Sequence, residues 1–268
     1  MPSAKLPPVL TRPKTRALAI CAVLVAALFA VTAFVPLPFT LTQPGVTVDT
    51  LGQYQGVEVI RITGTPTRAT TGQLRVTTIS ATNAGQEISF WTALNAWVRP
   101  DQAVLPSEAV YPQDNPGKAV QETTRQMTES QNSATAAALA YLHLSPEQVK
   151  VTLDLGDIGG PSAGQMLSLG IIDKIAGDGH GGDLTGGRVV AGTGTIDDQG
   201  IIGAVGGIPL KTRAAARDGA TVFLVPTEEC ADAKVDTPAG LRLIPVRTLA
   251  DAVASLTALN SGRGVPAC

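Results

Sequence analysis

Two side chains in this sequence have the type and setting of a nucleophile and its base. Ser162 lies in Gly160-Pro161-Ser162-Ala163-Gly164, after a predicted strand and at the first turn of a predicted apolar helix over residues 162–175. Unpaired N–H groups at a helix start stabilise developing negative charge, so an exposed hydroxyl and an oxyanion hole fit together there. Pro161 brings no N–H, which leaves that task to Ser162 or its neighbours. Glycines on both sides let another backbone approach closely. The same spelling suits a plain serine N-cap after a Gly-Pro turn. Lys211 follows Gly206-Gly207-Ile208-Pro209-Leu210 and opens a predicted helix over 211–218 that is rich in alanine. Burial and the helix dipole both disfavour an ammonium there and lower its pKa. A lysine that is neutral near physiological pH can take the proton of a serine hydroxyl. A snorkelling surface lysine is the competing reading.

Other chemistries find less support. His143 ends a helix just before Ser145-Pro146, and His180 sits in the loop Gly-Asp-Gly-His-Gly-Gly. A Ser-His-Asp triad needs a rigidly held imidazole, which neither setting offers. The spacing of histidines and cysteines suits no zinc site, so no metal is expected. No glycine directly precedes Lys211, which excludes a phosphate loop, and no cofactor is expected.

The elements that must position the pair are short strands and helices separated by glycines, from residue 149 onward. Strands are predicted over 149–155, 222–226 and 241–246, with 189–192 and 201–205 flanking a further turn, and a closing helix over 248–259. Residues 176–187 read as a Gly-rich loop. Upstream, 57–63 (VEVIRIT) and 74–80 (LRVTTIS) read as a hairpin or paired strands. Residues 87–98 look helical and carry Trp91 and Trp97, whose rings suit a core or a membrane boundary. Residues 102–117 read as a Pro-rich loop, and 118–144 as a long helix with a polar first half and an apolar second half.

Residues 17–35 contain no charge, and nineteen helical residues span ~28 Å, close to a bilayer's hydrocarbon core. The first forty residues hold Lys5, Arg12, Lys14 and Arg16 and no acid. The positive-inside rule therefore predicts a cytosolic tail (1–16), a single transmembrane helix (17–35) and an extracytoplasmic body. A cleaved signal peptide competes, although the apolar run exceeds the roughly 7–15 residues of a usual signal core. With those four of the 20 cations set aside, 16 face 22 acids, a balance of −6. An acidic body without a basic stripe argues against nucleic-acid binding. Cys230 and Cys268 would lie outside the cell, where a disulfide between them is plausible; two unrelated thiols are the alternative.

Gly-Pro-Ser-Ala-Gly, then Thr193-Gly-Thr-Ile, then Val-Gly-Gly-Ile-Pro-Leu-Lys211, in that order, resemble the proteolytic domain of Lon proteases over about residues 150–259. The resemblance implies Ser162 as nucleophile and Lys211 as general base, with Thr193 supporting the lysine and Gly160, Pro161 and Gly164 shaping the turn. It implies an α+β fold of the Lon proteolytic type over 149–260, preceded by the transmembrane helix and a smaller α/β region over 40–144. It further implies hydrolysis of peptide bonds in polypeptide substrates, and a hexameric homo-oligomer. The N-terminal half is similar to membrane-anchored Lon-like proteases of high-GC Gram-positive bacteria. Three features depart from the pattern: there is no ATPase motif, no room for the PDZ domain usual in anchored relatives, and Gly159 stands where ATP-dependent Lon enzymes commonly have an aspartate. The alternative to an enzyme is a catalytically silent, membrane-tethered binding or assembly protein on the same fold.

Overall fold

The computed structural model describes residues 12–111 and 116–268. Residues 1–11 of the expected tail and 112–115 of the expected loop lie outside the described residues. The chain begins with α1 (Arg12–Phe34), in which Lys14–Phe34 is long and apolar enough to cross a membrane. No residue of its apolar window is buried among the described residues.

The body is a mixed α+β structure. After α1 come β1 (Phe39–Asp49), β2 (Gln53–Tyr54), β3 (Val57–Glu58), β4 (Ile60–Thr63), β5 (Gln73–Ala81), α2 (Phe90–Trp97), β6 (Ala103–Pro106) and α3 (Ser107–Val110). Then follow α4 (Pro116–Tyr141), β7 (Lys150–Leu153), α5 (Gly164–Ile175), β8 (Val189–Gly192), β9 (Thr195–Ile196) and β10 (Ile202–Gly203). The chain closes with α6 (Ile208–Arg217), β11 (Val222–Pro226), α7 (Cys230–Val235), β12 (Arg242–Val246) and α8 (Leu249–Asn260).

Six strands form one sheet in the order β12-β11-β8-β5-β1-β6. The first four run parallel, and β1 is antiparallel to both neighbours. Strands from before and after residues 144–149 thus share a single sheet. β11 is buried along its whole length, as its unbroken apolar spelling requires of a strand covered on both faces. Val222 and Leu224 point to a core shared with α5 and α8, and Phe223 and Val225 to a second core shared with α6 and α7. α8 opens on a capping box between Thr248 and Asp251.

Two expectations change. The segments 57–63 and 74–80 do not pair with each other: β4 pairs antiparallel with β7, while β5 pairs with β1 and β8. Alternation identifies a strand but not its partner, and here the partner of β4 lies some ninety residues away, Ile60 opposite Leu153. The expected loop over 102–117 contains the sheet-edge strand β6 and the single turn α3. Pro106 is tolerated there because β6 is an edge strand.

Candidate active site

α5 covers one face of the sheet and α6 the other, and the chain segments that carry Ser162 and Lys211 meet beyond the C-terminal end of β8. In open parallel sheets this is the usual place for a site. Thr193, the first residue after β8, stands between them.

The Ser162 turn is held by α4. Gly160 N–H donates to the Thr123 carbonyl at 3.1 Å, and Ser130 Oγ donates to the Pro161 carbonyl at 3.0 Å. Gly160 has φ +92° with open space where a Cβ would sit, so it supplies a backbone shape rather than a close approach. Gly164 supplies the close approach: a Cβ there would lie 2.8 Å from Ile196 Cγ2 and 3.0 Å from Ser130 Oγ. α5 starts at Gly164 with Ala163 as its cap residue and no side-chain cap bond, so Ser162 is not an N-cap. Among the described residues, the Ser162 hydroxyl and the N–H groups of Ser162 and Ala163 have no hydrogen-bond partner. Those two N–H groups precede the first turn of α5, where a carbonyl oxygen gaining negative charge would be stabilised.

Lys211 lies in the first turn of α6, three residues after its start, and is only 3% exposed. It is therefore a buried lysine and not a snorkelling one. Its Nζ donates to Thr193 Oγ1 at 3.1 Å, and Thr193 Oγ1 donates to the Ser162 carbonyl at 3.3 Å. Gly194 N–H donates to the same carbonyl at 3.1 Å. Thr193 thus ties the amine to the backbone of Ser162, 31 residues away in sequence. No hydrogen bond joins the Ser162 hydroxyl directly to Lys211 among the described residues. Burial pushes the Lys211 ammonium down to about 8, against the opposing charge of Glu229.

The buried charge has a thermodynamic consequence. A fall from 10.5 to about 8 costs the fold ~3 kcal/mol below that pH, and the Lys211–Thr193 bond returns ~1 kcal/mol. Lys211→Met is therefore expected to raise the unfolding free energy by ~2 kcal/mol at neutral pH. The folded lysine sheds its proton first, so the gap should close as pH rises from about 8 to 10.5. Denaturant unfolding of both proteins across that range checks the size and the direction.

Glu229 is the acid that the sequence reading missed. It ends the short turn after β11, is 9% exposed, and accepts the Val205 N–H at 3.0 Å. It therefore holds the segment leading into Gly206-Gly207, the start of the helix that carries Lys211. Burial raises its own pKa, and its charge raises that of Lys211. Glu229→Gln keeps an acceptor for Val205 but removes the charge. It should move the acid limb of any Lys211-dependent rate to lower pH; an unmoved limb in a pH–rate profile would exclude this role. No sequence signal separates Glu229 from its neighbour Glu228.

A groove of about 800 Å³ runs beside this turn, between α4 and residues 156–159, with Thr123, Met127 and Gly159 among its walls. The histidines stand elsewhere. His143 takes a left-handed conformation just after α4, and His180 lies in the loop that Asp178 Oδ1 organises by accepting the His180 and Gly182 N–H groups. A disulfide joins Cys230 and Cys268, with Cα atoms 5.3 Å apart, and both half-buried residues pack on the core beneath α6 and α7. Cys21 is a free thiol on α1. The chain matches no family model of known proteins.

Proposed function

We propose that this chain is a membrane-anchored serine endopeptidase with a Lon-type proteolytic fold and a Ser162–Lys211 dyad. The observation that carries the reading is the buried lysine, its pKa lowered to about 8, linked through Thr193 to the backbone of a serine whose hydroxyl has no partner among the described residues. In this reading Ser162 Oγ attacks the carbonyl carbon of an extended polypeptide lying in the groove beside α4. A C–O bond forms, the hydroxyl proton passes to neutral Lys211 Nζ, and the oxyanion faces the N–H groups of Ser162 and Ala163. Collapse breaks the C–N bond, and Lys211 returns the proton to the leaving amine. A water, deprotonated by the same lysine, then hydrolyses the acyl-enzyme.

The four cations before or at the start of α1 support a cytosolic N-terminus with the body outside the cell. The disulfide suits such an oxidising compartment. The hexameric ring rests on the resemblance to Lon proteases alone. The missing direct bond between Ser162 and Lys211 favours a second reading, a silent binding protein on this fold. Free-enzyme bonds often tighten only with substrate, which keeps the enzyme reading first. Full-length protein in detergent, incubated with an unfolded polypeptide and followed by mass spectrometry of the products, separates the two. The enzyme reading expects internal cleavages that vanish in Ser162→Ala; an intact substrate would leave the binding reading.

A further inference from the structure

The short helix α2 carries an apolar face that nothing among the described residues covers. Trp91 (61% exposed), Leu94, Trp97 (82%) and Val98 (76%) line its outward side, while Ala96 is buried on the opposite side. At 100° per residue, positions 91, 94 and 98 fall within one narrow arc, with 97 beside it. The inward side rests on β6 and β1, so α2 is fixed to the sheet rather than hanging free. Ser89 caps it by accepting the Thr92 N–H at 3.1 Å. Two large indoles and two aliphatic side chains make an apolar patch of a kind that marks an interaction site.

The place of α2 in the chain says what covers that face. The helical bonding of α1 continues to Val35, whose N–H donates to the Val31 carbonyl. Two residues later, Leu37 exchanges both backbone hydrogen bonds with Ile88, at 2.8 and 3.3 Å. Ile88 in turn stands two residues before the start of α2. Two residues reach at most ~7 Å when extended, about the depth of one polar layer of a bilayer. A helix pinned that close to the end of a membrane-spanning segment lies at headgroup level. Tryptophan favours this layer, because its ring is apolar and its N–H polar.

We infer that α2 is an interfacial helix whose Trp91–Leu94–Trp97–Val98 face seats the body of the protein on the lipid bilayer, beside the point where α1 emerges. The inference uses α1 as a membrane span and makes no use of the proposed peptidase activity. Its effect would be to fix the orientation of the sheet relative to the membrane plane, where a single flexible tether would leave it to tumble.

Trp91 and Trp97 are the only tryptophans in the chain, so native fluorescence reports on this face alone. The full chain, reconstituted into phosphatidylcholine vesicles, would be compared in lipid brominated near the headgroup, lipid brominated near the chain ends, and unbrominated lipid. Trp91→Phe and Trp97→Phe isolate each indole. Both should emit at a shorter wavelength than indole in water. Both should lose emission strongly with the shallow bromine and weakly with the deep one, while remaining poorly reached by aqueous acrylamide. Emission insensitive to bromine but open to acrylamide would put the face in water and overturn the inference. Protection from both quenchers would place a second copy or another protein on the face, which also overturns it. Failure of the protein to float with the vesicles would remove the membrane span on which the inference rests, whatever the outcome of the peptidase experiment.

Discussion

Lys211→Arg is expected to lower peptide-bond hydrolysis by about 10³-fold or more, close to the loss in Ser162→Ala. Arginine keeps its proton at any usable pH and cannot act as a base, so conserving the charge conserves nothing useful. It also places a larger, permanently charged group where the lysine is 3% exposed. The double variant should be no worse than either single one, because nucleophile and base act as a unit and their losses do not add. The wild-type rate should rise with pH through the lowered lysine value of about 8, because only the neutral amine accepts a proton. Full turnover in Lys211→Arg, or a rate flat across that region in the wild type, would show that another group is the base.

Gly164→Val is expected to destabilise the fold by ~3 kcal/mol, at the upper end of ordinary overpacking effects. The first added carbon already meets Ile196 Cγ2 at 2.8 Å, the Ile196 backbone N at 3.2 Å and Ser130 Oγ at 3.0 Å. Those neighbours are the β9 strand beside Thr193 and the α4 residue that holds the Pro161 carbonyl. Relief of the clash therefore displaces the Ser162 turn as well as lowering stability. Gly160→Ala makes the contrast. No atom lies within 4 Å of its new Cβ, and only the φ of +92° resists, a cost of about 1–2 kcal/mol. Equal unfolding midpoints for the two variants would show that α4 and β9 do not enclose Gly164 as described.

The reach of the sequence differed from one feature to the next. Ser162 and Lys211 stood out because glycine-rich turns set them between apolar elements, Thr193 only through the resemblance to Lon proteases, and the structure joins Lys211 to Thr193 and Thr193 to the Ser162 carbonyl. The strand β11 and the closing helix α8 were legible from local pattern, an unbroken apolar run and an amphipathic run, both of which act within a few residues. What escaped was long-range. The pairing of β4 with β7 depends on which edge is free after the chain has returned. Ser130 holds the Ser162 turn from a stretch of α4 that reads as merely polar, although it shares the buried stripe of Met127, Ala134 and Ala138. That 3.6-residue stripe was the available signal. Glu229 acts only because the turn after β11 brings it to Val205, a proximity with no local signature. Trp91 and Trp97 sit on a helix whose outer face is as apolar as a core face, so only their exposure separates a boundary from a core.

Activation of Ser162 by Lys211 is read most directly by reaction of the protein with a fluorophosphonate, followed by digestion and mass spectrometry to locate the adduct. The expected result is one phosphonylated residue, Ser162, with labelling that quickens as pH rises through about 8 and nearly disappears in Lys211→Ala. An unlabelled Ser162 at every pH, or a Ser162 that labels as fast in Lys211→Ala as in the wild type, would contradict it.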